Sequence, residues 1–108
     1  MTGQEYQTLA LRTRSNFYNE NDTILAVAMT LLALGGEVGE LENKFKKKVE
    51  RGETLNYREM KEEIGDVLWY LTSLSNILGT NLDEIMAENI KKLEARYPQG
   101  KFCSRYIK

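Results

Sequence analysis

The chain has 108 residues, enough for one domain with a modest core, and its 15 basic and 16 acidic side chains leave a net charge of -1. That balance argues against a partner of polymeric nucleic acid, which calls for a basic excess. The sequence has no histidine, which removes a histidine base, a His-ligated zinc site and a Ser-His-Asp triad. Its single cysteine, Cys103, removes a disulfide framework and fits a reducing, cytoplasmic setting.

The start, Met1-Thr2-Gly3-Gln4-Glu5, lacks the basic-then-apolar form of a signal peptide. A single proline, Pro98, and long apolar stripes predict an all-α protein of four main helices in a single domain over residues 1–108. Thr2 with Glu5 resembles a capping box, so a first helix is expected from about Gly3 to Arg14, with Tyr6, Leu9, Ala10 and Thr13 facing inward. Asn19-Glu20-Asn21-Asp22-Thr23 is rich in turn formers and offers a cap for a long second helix from about Thr23 to Glu50. Ile24, Val27, Leu31, Leu34, Val38, Leu41, Phe45 and Val49 recur along it at helical spacing. The apolar run from Ile24 to Leu34 is too short for a bilayer and reads as a core helix, so no membrane partner is expected. Gly35, Gly36 and Gly39 each cost about 1 kcal/mol relative to alanine inside a helix, which predicts close approach of another backbone or a ligand.

Glu50-Arg51-Gly52-Glu53-Thr54 reads as a turn. Asn56 with Glu59 caps a third helix, striped by Met60, Ile64, Val67, Leu68, Leu71, Leu74 and Leu78 and ended by Gly79. Thr80 or Asn81 caps a fourth, carrying Leu82, Ile85, Met86, Ile90 and Leu93 and stopping at Tyr97-Pro98-Gln99-Gly100. Residues 101–108 show no period and read as a C-terminal arm.

The chemistry lies in two acid pairs. Glu37 and Glu40, and again Glu63 and Asp66, are spaced so that each pair projects from one helix face. If the chain turns back near Gly52, Glu37 comes level with Asp66 and Glu40 with Glu63. Four carboxylates then form an oxygen cage for a hard cation such as Mg²⁺. The bland alternative, a solvated face with surface ion pairs, suits one such pair better than two that meet beside apolar stripes. Asn89 falls within the apolar stripe of the fourth helix, as a structural amide or a ligand contact. Lys92 and Arg96 flank it, as partners of Glu88 and the helix dipole or as a phosphate clamp. Lys44 shares the face of Glu37 and either complements its helix end or reaches a phosphate. Trp69 points away from its helix's main stripe, toward a subunit interface or a stacked base.

Gly36-Glu37-Val38-Gly39-Glu40-Leu41, Glu63-Ile64-Gly65-Asp66-Val67-Leu68-Trp69-Tyr70-Leu71, Asn89-Ile90-Lys91-Lys92-Leu93 and Arg96-Tyr97-Pro98-Gln99-Gly100 together resemble the MazG-type nucleoside triphosphate pyrophosphohydrolases of the all-α NTP pyrophosphatase group. The resemblance runs from about Tyr6 to Phe102, and departs where many members carry a second glutamate and this chain has Gly36. It implies Mg²⁺-dependent hydrolysis, with Mn²⁺ as a substitute, of a (deoxy)nucleoside triphosphate to monophosphate and pyrophosphate, in nucleotide pool control or house-cleaning. It implies metal and catalysis at Glu37, Glu40, Glu63 and Asp66, with Glu37 as base. Substrate contacts would come from Asn89, Lys92, Arg96, Lys44 and Trp69. It also implies a homodimer or homotetramer completing a helical bundle. Rivals are a dUTP, dCTP or phosphoribosyl-ATP pyrophosphatase, a di-iron bundle disfavoured by the missing histidines, and a non-catalytic helical dimer.

Overall fold

A computed structural model describes residues 1–14 and 22–101. The predicted arm beyond Lys101, Cys103, and the first residues of the turn at Asn19–Thr23 lie outside the described residues. Helices α1 (Gly3–Ala10), α2 (Thr23–Glu50), α3 (Tyr57–Ile77) and α4 (Leu82–Arg96) form an all-α fold, with a 3₁₀ turn over Leu11–Thr13 after α1.

The helix starts follow from side-chain caps. Leu25 N–H donates to Asp22 Oδ1 at 3.0 Å, Glu59 N–H to Asn56 Oδ1 at 3.2 Å and Glu84 N–H to Asn81 Oδ1 at 2.9 Å, so Asn81 rather than Thr80 opens α4. The α2–α3 turn and the end of α3 each need a left-handed residue, supplied by Gly52 (φ 67°) and Gly79 (φ 73°).

α1 is short and is held from outside itself. Thr2 Oγ1 accepts from Glu5 N–H at 3.0 Å, while the Asp83 carboxylate accepts from Gly3 N–H at 3.1 Å and Gln4 N–H at 2.9 Å. The first turn of α4 thus satisfies donors that the start of any helix leaves open. At Gly3 a Cβ would stand 2.7 Å from Asp83 Oδ1, so a larger residue there would push the Asp83 carboxylate aside. The buried residue of α1 is Gln7, where the sequence predicted Tyr6, Leu9, Ala10 and Thr13; Leu9 is 46% exposed, and Thr13 is also exposed. The reason is chemical. α1 docks on the peptide edges of the α3–α4 turn, and Gln7 donates from Nε2 to the Thr80 carbonyl at 3.1 Å and accepts from Leu82 N–H at 3.2 Å. A leucine could do neither.

α2 and α3 pack antiparallel as the main pair of the fold. Their buried positions are small: Ala26 and Thr30 on α2; Thr72, Ser73 and Ser75 on α3. Thr30, Thr72 and Ser75 turn their hydroxyls onto their own helix, donating to the carbonyls of Ala26, Leu68 and Leu71. The predicted large apolar stripe of α2 is instead largely outward, with Ile24 84%, Leu31 48% and Val49 63% exposed, and Leu32 and Ile64 are exposed with it. By length and composition alone α2 could cross a membrane, since an 18-residue window reaches a mean hydropathy of 1.7; the run from Ile24 to Leu34 therefore understates its apolar length. α4 packs chiefly on α1, leaving Ile85, Met86, Ile90 and Leu93 exposed. The radius of gyration is 17.2 Å, against about 13 Å for a compact chain of this length.

Candidate metal centre

Because α2 and α3 run antiparallel, their acid motifs come level. One carboxylate oxygen from each of Glu37, Glu63 and Asp66 lies within 4.8 Å of the others. Glu37 and Glu63 are half-buried between the helices and Asp66 is exposed. Glu40 stands beside this trio, close enough for its charge to act on Glu37. Partial desolvation, followed by the negative charges of Glu40, Asp66 and Glu63, pushes the Glu37 carboxyl above the usual carboxylate range. An all-oxygen donor set whose members repel one another fits a hard divalent cation.

The backbone approach expected at Gly35, Gly36 and Gly39 is not made among the described residues: a Cβ at any of them meets nothing within 4 Å. Among the described residues, no other backbone comes close there.

Lys44 crosses from α2 to α3. Its Nζ lies 2.7 Å from Glu63 Oε1 and 3.8 Å from Glu59 Oε1, and Lys48 Nζ is 3.7 Å from Glu59 Oε2. The hydrogen bond to Glu63 and that carboxylate's charge raise the Lys44 ammonium above the ordinary lysine range. Glu59 was read from the sequence only as part of a helix start; the hairpin register that aligns Glu37 with Asp66 also aligns Lys44 with Glu59, and was the signal available for it.

The remaining candidates lie elsewhere. Trp69 commits its indole N–H to α1 and the turn after it, donating to the Ala10 carbonyl at 3.2 Å and to Thr13 Oγ1 at 2.9 Å, and meets Tyr70 edge-on. Asn89, expected within an apolar stripe, is exposed, as are Lys92 and Arg96. Among the described residues neither Lys92 nor Arg96 forms an ion pair, so the structure does not join them to the carboxylates of the same chain.

An antiparallel helical pair with carboxylates converging from both members defines an all-α protein with a candidate hard-cation centre. The chain belongs to the MazG nucleotide pyrophosphohydrolase domain family, whose profile matches residues 26–101. It is 32% identical over 83 residues to the Gene 37 protein of Mycobacterium phage L5, an alignment covering 73% of this chain and 73% of the phage protein. No solved structure matches it.

Proposed function

We propose that the protein hydrolyses a (deoxy)nucleoside triphosphate to the monophosphate and pyrophosphate, with Mg²⁺ held by Glu37, Glu40, Glu63 and Asp66 and Mn²⁺ able to replace it. The observation that carries this reading is the convergence of Glu37, Glu63 and Asp66 oxygens within 4.8 Å, in a chain of this family. When bound, the cation supplies charge neutralisation at the phosphates and acidifies nearby water. Glu37 takes the proton from the attacking water, as the carboxylate half-buried at the centre of the cluster. Water oxygen bonds to the α-phosphorus, the α–β anhydride bond breaks, and pyrophosphate departs with the bonding pair.

Lys92, Arg96 and Asn89 serve the phosphates and sugar from a second copy of the chain. What supports this is their exposure on α4 together with the apolar surface left uncovered on α2, α3 and α4, an extent of exposed hydrocarbon that marks an interface. A homodimer, singly or paired into a tetramer, covers these faces. We favour it over a bilayer because Glu37 and Glu40 lie on the same long helix and are costly in hydrocarbon. The protein is cytoplasmic on this reading. The experiment is a panel of nucleoside and deoxynucleoside triphosphates with Mg²⁺ and product identification. Pyrophosphate from at least one is expected; inorganic phosphate as the first product, or no turnover of any, refutes the proposal.

A further inference from the structure

We infer that Lys44 is a built-in counter-cation that competes with the divalent ion and so sets the affinity of the carboxylate centre for it. This rests on the metal-site reading above and goes beyond it by giving Lys44 a role other than phosphate binding. Lys44 Nζ sits 2.7 Å from Glu63 Oε1, on one of the three carboxylates that converge. A divalent ion on that cluster weakens the attraction holding the ammonium and repels it directly. By linkage, the ammonium weakens ion binding to the same degree. The protein also offers the ammonium somewhere to go. Glu59 Oε1 is 3.8 Å from Nζ, and the Lys44 side chain is half exposed, free to swing along the helix. Lys48, which also pairs with Glu59 at 3.7 Å, limits how firmly Lys44 is held there. The centre is thereby kept partly neutralised and open until an ion arrives.

The test is titration of the full-length protein with Mn²⁺, read by calorimetry and by the electron paramagnetic resonance of free Mn²⁺. Lys44→Met is expected to bind Mn²⁺ about ten-fold tighter, the size of a unit charge acting on a divalent ion across roughly 6 Å of water-like medium. Lys44→Arg, which keeps the charge, should stay close to the parent, and the Met effect should shrink as salt is raised. The ion-free Lys44→Met protein should melt at a lower temperature and gain more from Mn²⁺ than the parent does. Equal or weaker Mn²⁺ binding by Lys44→Met overturns the inference, and the weaker outcome would make Lys44 an orienting support for Glu63. Lys44→Gln gives the same comparison should the Met variant fold poorly. If the parent itself binds no Mn²⁺, the metal-site reading falls and takes this one with it; if the parent binds and Lys44→Met matches it, only this one falls.

Discussion

Lys44 Nζ and Glu63 Oε1 are 2.7 Å apart, so the Lys44 ammonium rests on the α3 side of the acidic centre and leaves Glu37 on α2 facing like charges. The two carboxylates should therefore respond in opposite ways to neutralisation. Glu37→Gln removes repulsion and should raise the melting temperature of the ion-free protein, whereas Glu63→Gln strands Lys44 and should lower it. Both should lose Mn²⁺ binding and pyrophosphate release by at least about a hundred-fold, as expected when a ligand of a catalytic ion is lost. Thermal melts beside Mn²⁺ titrations check this, and matching shifts in melting temperature would contradict the asymmetry.

The raised pKa of Glu37 makes both stability and ion binding depend on pH. The folded protein holds this proton more tightly than the unfolded chain, so the associated stability is complete below the unfolded value and is lost as pH rises through the folded one. Ion-free protein should accordingly lose some stability as pH climbs just above the ordinary carboxylate range. Mn²⁺ should bind more tightly over the same interval, expelling a proton. Calorimetry in buffers of different ionisation enthalpy measures that proton directly, and Glu37→Gln should not release it.

Gln7 joins α1 to the α3–α4 turn through two hydrogen bonds. Gln7→Leu leaves the Thr80 carbonyl and the Leu82 N–H unpaired and should destabilise the fold by about 2 kcal/mol. Chemical denaturation at fixed protein concentration reads the change, and an unaltered midpoint would show that water replaces the amide at no cost.

Trp69→Phe removes the donor that ties α3 to Ala10 and Thr13. A loss of about 1 kcal/mol is expected, together with faster protease cleavage after Ala10. Nucleotide affinity should change little if the ring does not stack on a base, and equilibrium binding in the presence of Ca²⁺ decides this.

Ile24 and Leu32 are 84% and 71% exposed on one protomer. Light scattering on a sizing column should show a dimer or tetramer for the parent chain. Leu32→Glu should shift it toward monomer and make the melting temperature depend on concentration. A monomeric parent would remove the proposed shared site.

The helix pattern was legible in the sequence because caps and breakers are local: Asn56, Asn81, Gly52 and Gly79 act where they stand. The convergence of Glu37 with Glu63 and Asp66 was legible because a short turn fixes the register of two long helices. Burial was not. Apolar periodicity marks a face that avoids water without saying what covers it, so the stripe from Ile24 to Val49 suggested an internal core where the chain buries Ala26 and Thr30 instead. Gln7, a polar residue at a docking point, and Glu59, paired across the hairpin, carry no apolar signal. The attachment of α4 to α1 depends on contacts between the two ends of the chain, such as Asp83 with Gly3, which periodicity does not register.

Glu37, Glu63 and Asp66 hang from neighbouring helices joined by a turn at Gly52, so the site is built from one continuous stretch of chain. Hairpin closure over a short loop is fast, whereas the α1–α4 clasp must wait for opposite ends of the chain to find each other. The convergence of the three carboxylates is thus local to one hairpin and independent of that clasp.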